Sequence, residues 1–220
     1  IFLMLCVSLV AYSGEACGTL DEKSCFMQAV TPLKQSSITK DELKISFNKL
    51  AELCVSSNNA KSCDIAADIA HDMLKDSNLA LELYAQKCDE GLPQYCGAAV
   101  LLTKDPKSKL YNIALAQKYS VKGCAAKDAY LCYQQGSLHS PFTEGNLING
   151  AVAQEGYYLA CRYGKGVKHI SERRRSQGCF SAYFMGEGGT GDFDLNPNPD
   201  YRLFGLKTAC MIDNKFCERA

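Results

Sequence analysis

The chain has 220 residues, of which 47% are hydrophobic and 22% charged, enough apolar content for one or two packed domains and too much for a disordered polymer. Its 24 basic and 24 acidic side chains leave no net charge, so no global field draws it to nucleic acid or to an anionic bilayer. Thirteen cysteines are far more than a reducing cytosol would explain except through metal binding or catalysis.

The first segment, IFLMLCVSLVAYS, is an apolar run of signal-peptide length that ends in Ala11, Tyr12 and Ser13, with small residues at the positions a signal peptidase inspects. It is shorter than the roughly 20 apolar residues a membrane span needs. We expect residues 1–13 to be a signal peptide without its charged leader, against the alternative of a buried strand or first helix. We expect no stable membrane insertion after cleavage. Removing the segment also removes Cys6 and leaves an even set of twelve cysteines, as a closed disulfide framework requires.

Those twelve fall in pairs along the rest of the chain: Cys17 and Cys25, Cys54 and Cys63, Cys88 and Cys96, Cys124 and Cys132, Cys161 and Cys179, Cys210 and Cys217. The first members step by 37, 34, 36, 37 and 49 residues, the second members by 38, 33, 36, 47 and 38. One insertion of about ten residues inside the fifth unit, at about 163–175, explains both long steps, and the remaining period is that of a repeat array. Zinc knuckles place their cysteines two to four residues apart. The wider pairs and the scattered His71, His139 and His169 give no metal-ligand set, and no cofactor is expected.

The segments before the first cysteine of each pair, such as NLALELYAQKC, NIALAQKYSVKGC and GAVAQEGYYLAC, return apolar residues at three- and four-residue steps and read as helices. A polar turn and a second helix follow, as in PQYCGAAVLL and DAYLCYQQGSL. Each unit is therefore a helix, a turn and a helix. Disulfide geometry needs Cα atoms within about 7 Å, which antiparallel helices allow where their bases meet, so each pair staples its own hairpin. A ring of this size contributes about 2.5 kcal/mol by loop entropy. Ala at the helix crossings and Tyr84, Tyr119, Tyr158 and Phe204 near the first cysteines are expected to pack the core and the contacts between repeats.

This pattern resembles the Sel1-like repeats, and within them the cysteine-rich secreted branch known from Helicobacter. The resemblance spans nearly all of residues 14–220. Tyr183, Gly186 and Gly188 are similar to the aromatic and glycine turn that joins consecutive Sel1 units. It implies an all-α solenoid, a TPR-like superhelix of about five to six helix-turn-helix repeats in a single domain, the first and last incomplete. The last unit stops at CERA, before a second helix is complete, and we expect a truncated chain, a short cap or a missing partner.

The same branch is described as binding penicillin and slowly hydrolysing β-lactams. A Ser-x-x-Lys sequence occurs at Ser37 to Lys40, and Lys207, Thr208 and Ala209 faintly resemble the Lys-Thr-Gly element of β-lactamases. Thr39 followed by Glu42 instead reads as a capping box, so no catalytic residue is assigned. The one strongly basic stretch carries Lys165, Lys168, Arg173, Arg174 and Arg175. It is expected as a solvated loop with a possible anion contact. The sequence therefore points to a secreted or periplasmic scaffold that binds a protein or peptide along its concave face, with no nucleic-acid partner. The alternatives are a β-lactam hydrolase and a mitochondrial intermembrane-space assembly factor, since a cytochrome oxidase assembly factor has similar repeats.

Overall fold

The computed structural model describes residues 16–57, 59–141, 147–167, 171–185 and 198–219. The expected signal peptide, Lys168 and the Gly186 and Gly188 turn lie outside the described residues. Within them the secondary structure is helical throughout, with ten α-helices: α1 (Glu22–Val30), α2 (Lys40–Ser57), α3 (Ala60–Asp68), α4 (Ser77–Asp89), α5 (Pro93–Lys104), α6 (Ile113–Ala125), α7 (Ala129–His139), α8 (Gly150–Tyr163), α9 (Glu172–Met185) and α10 (Pro199–Ile212). A π-helical turn, Ile69–Met73, extends α3, and a 3-10 turn, Asn214–Arg219, follows α10.

Local chemistry sets the helix starts. Asn112, Asn149 and Asn198 cap α6, α8 and α10, each side chain accepting a backbone N–H from the first turn, as an N-cap does. Asp21, Asn59 and Asp128 do the same for α1, α3 and α7. The Thr39 and Glu42 capping box is present, with the Thr39 backbone N–H donating to Glu42 Oε2 at 2.8 Å and the Glu42 N–H to Thr39 Oγ1 at 3.2 Å.

The chain forms two compact units, divided between Tyr84 and Ala85. In the first, α1 packs on α2 and α2 on α3, around Cys17, Cys25 and Leu53 with Phe26 beside them. In the second, every helix from α5 to α10 packs on the next, and α8 also touches α10. The core is built from small residues, with Ala99, Ala116, Ala153, Ala160, Ala182 and Ala209 all fully buried, so helix backbones come close. At one crossing a Cβ on Gly156 would stand 2.5 Å from the Gly136 nitrogen and 2.9 Å from the Cys132 oxygen. Buried Gln154 ties three helices together: its Nε2 donates to the Ala182 and Asn198 oxygens, and its Oε1 accepts from the Asn198 N–H at 2.8 Å.

Six disulfides join Cys17–Cys25, Cys54–Cys63, Cys88–Cys96, Cys124–Cys132, Cys161–Cys179 and Cys210–Cys217, with Cα separations from 4.4 to 5.4 Å. The second to fifth each link one helix to its successor across the connecting turn. The expected aromatic packing takes a more varied form. Tyr119 is buried, and Tyr158 stacks on Tyr201 at 3.9 Å across the α8 and α10 contact. Phe204 meets Tyr158 edge-on at 5.3 Å and stays 37% exposed. The buried aromatic of α8 is Tyr157, which packs edge-on against Tyr133.

Candidate functional site

The basic stretch supplies the starting point. Its arginines do not lie in a loop. Ser171 Oγ accepts the Arg174 backbone N–H, and Glu172 places an acidic side chain in the first turn, where a helix favours one. Residues 172 onward are therefore helical, and the helix sends the three arginines in different directions.

Arg175 turns back to α8. Its Nε donates to the Cys161 oxygen at 3.1 Å and Nη1 lies 3.2 Å from Glu172 Oε2, with the side chain only 11% exposed. It satisfies a carbonyl in the last turn of α8, where a cation is also favoured by the helix dipole. Arg173 is exposed and lines a cleft of about 650 Å³ with Ser176, Gln177, Lys215 and Phe216. Arg174 crosses to α7, its guanidinium carbon 5.6 Å from the ring centre of Tyr130 and 6.0 Å from that of Tyr133. Lys165 is exposed in the turn after α8. The four described cations of the stretch thus point to different surroundings, and Arg174 lies over two tyrosine rings.

That surface is a stripe on α7. Tyr130, Tyr133, Gln134 and Ser137 recur at helical spacing and share one face. Facing it, α9 presents Arg174, Gly178 and Ser181, also at helical spacing, and a Cβ on Gly178 would stand 3.6 Å from the Tyr133 ring. From the last residue of α5, Lys104 Nζ donates to Gln134 Oε1 at 2.8 Å. Gln134 is buried. Burial, and then the nearby Arg174 guanidinium, hold the Lys104 ammonium below the ordinary lysine range, with Asp105 acting in the opposite sense. Two cations from different helices therefore converge on one side of α7.

Tyr133 also lines a cavity of about 200 Å³, together with Ser137, Ser140, Tyr157, Ser181 and Phe184 among others. Burial pushes the Tyr157 hydroxyl up to about 12, against the pull of hydrogen bonds from Ser140 and Ser137. At neutral pH this phenol is a hydrogen-bonding group and not a base. The hydroxyls of Ser137 and Ser140 are engaged with it, so the cavity offers polar recognition around an exposed Phe184 rim.

The chain matches no family model and no curated protein.

The residues that resemble a β-lactam hydrolase belong to different units of the chain. Ser37 is exposed in the bend before α2, in the first unit, while exposed Lys207 and buried Thr208 belong to α10 in the second. Lys104, Tyr130, Tyr133, Ser137 and Ser181 were not singled out by sequence reasoning. The helical spacing in YLCYQQGS carried the signal for the α7 stripe. Nothing local pointed to Lys104 or Ser181, because the groove joins α7 to helices before and after it.

Proposed function

We propose that this chain is a Sel1-like, disulfide-stapled repeat scaffold, secreted or periplasmic, that binds a protein or peptide partner along the helix-lined surface of an α-solenoid. The observation that carries this reading is the set of six short-range disulfides. Such bridges persist where the surroundings are oxidising, and they brace short hairpins that cannot bury a large core alone. The α7 and α9 groove supplies a surface of the kind a scaffold uses, with aromatic rings, two cations and a small polar cavity all against α7. Curved repeat arrays commonly bind extended partners in this way. No helix among the described residues is long and apolar enough to cross a membrane.

The experiment is affinity capture from the native envelope or secreted fraction, with the chain kept oxidised and a groove variant, Tyr133→Ala, run in parallel. The reading expects a partner retained by the native chain and depleted with the variant. Turnover of a chromogenic β-lactam by the pure protein, abolished in Ser37→Ala, would instead make it a hydrolase.

A further inference from the structure

We propose that the Lys104 and Arg174 end of the groove binds a side-chain carboxylate of an acidic peptide segment, whose neighbouring side chain enters the cavity beyond Tyr133. This deepens the scaffold reading and rests on it.

The first argument is the uncompensated charge. The Arg174 side chain makes no ion pair and no hydrogen bond with any described residue. Lys104 is bonded to a neutral amide, Gln134 Oε1. Glu172, two positions before Arg174, pairs with Arg175, while Asp105 Oδ1 accepts the Lys107 N–H at 2.9 Å and Asp128 Oδ1 accepts the Leu131 N–H at 2.9 Å. Two like charges brought together repel each other, an effect that Asp105 offsets only in part at Lys104, and a carboxylate between them removes that repulsion while gaining charge-assisted hydrogen bonds.

The second argument is placement. Arg174 stands in the opening turn of α9, where the helix dipole disfavours a cation. Breaks in a local rule are expected at functional or strained positions. The Tyr130 and Tyr133 rings beneath the guanidinium hold it through cation–π attraction and pre-organise its planar fork.

The third argument selects a peptide over a free anion. Tyr133 lies 6.0 Å from the Arg174 guanidinium and also lines the cavity of about 200 Å³, so charge and cavity are neighbours across one ring. An extended chain advances about 3.3 Å per residue, which brings adjacent residues of one segment to both. The cavity mouth carries Phe184, 39% exposed, a partner for an apolar side chain.

The test is an amide-shift NMR titration of the intact, oxidised protein with the peptide Ala-Leu-Glu-Leu-Ala, acetylated and amidated, against its glutamine counterpart and against inorganic phosphate. The glutamate peptide should move the amides of Tyr130, Tyr133, Gln134 and Arg174, with the glutamine peptide about tenfold weaker, as loss of a charge-assisted bond implies. Arg174→Gln and Lys104→Gln should each weaken binding about tenfold, Arg174→Lys less, and Arg173→Gln should leave it unchanged. Unperturbed amide spectra elsewhere show that each variant is folded. Equal response to the two peptides, no response to either at millimolar concentration, indifference to Arg174→Gln, or a response to phosphate alone would overturn the inference. A peptide bound without preference for glutamate leaves the scaffold reading standing, whereas that reading falls if envelope capture yields no groove-dependent partner.

Discussion

At the scale of single residues, the best-defined devices are caps. Asn149 Oδ1 accepts the Val152 N–H at 3.1 Å, and Asn149→Ala should cost about 1 kcal/mol, visible as a lower midpoint in urea that Asn149→Asp largely restores. A second device is His139, 4% exposed, with Nε2 3.2 Å from Gln117 Nε2 and Nδ1 without a partner. Burial pushes its pKa below the ordinary 6.5, so the fold favours the neutral ring. The unfolded chain takes up the proton first as the pH drops. The His139 contribution is therefore complete above pH 6.5, begins to fall there, and is gone once the pH passes below the folded pKa. Urea midpoints measured from pH 7.5 to 5 should decline in the native protein and follow a flatter profile in His139→Gln. Such features differ in how readable they were. Thr39 and Glu42 stand three positions apart and are joined by three hydrogen bonds, so their capping box was visible in sequence. Arg175 looked like one more charge in a basic stretch, because its acceptor, the Cys161 oxygen, lies on the preceding helix.

At the scale of elements, helix pairs are fixed by close approach and by buried polar ties. Adding a methyl at Gly156 meets backbone on α7, the Gly136 nitrogen and the Cys132 oxygen, and neither can yield as a flexible side chain would. Gly156→Ala should thus destabilise by about 2 kcal/mol, while Gly166→Ala, in open space but at a φ of +74°, tests backbone strain alone. Gln154→Leu removes the acceptor of the Asn198 N–H and a donor to the Ala182 oxygen, and should cost about 2 kcal/mol in the same denaturation assay. The hairpins themselves were legible, since the cysteine period and the three- and four-residue apolar spacing are properties of contiguous sequence. The basic stretch was expected as a loop from its charge density, whereas residues 172 onward are helical. The groove was not legible: Lys104, Tyr133 and Ser181 come from three helices whose alignment depends on packing through alanines and glycines. Tyr158, expected simply as packing, stacks on Tyr201 from α10, a partner its own helix could not reveal.

For the molecule as a whole, covalent rings carry much of the stability. Most of the bridges close seven to nine positions of chain, each contributing about 2.5 kcal/mol on the loop-entropy model. A domain's entire net stability is about 5–15 kcal/mol. Replacing Cys124 and Cys132 together by Ala should lower unfolding free energy by about 2.5 kcal/mol, and full reduction should lower the melting temperature steeply. Local bridging also makes each hairpin a self-contained module, which leaves surface positions such as Lys104 and Arg174 to set what is bound. The central claim is that each hairpin is closed by its own bridge, and the direct measurement is mass-spectrometric peptide mapping of the oxidised protein without reduction. The account predicts the six peptides that join Cys17 to Cys25, Cys54 to Cys63, Cys88 to Cys96, Cys124 to Cys132, Cys161 to Cys179 and Cys210 to Cys217. Bridges joining different hairpins, or free thiols at these positions in the oxidised protein, would contradict it.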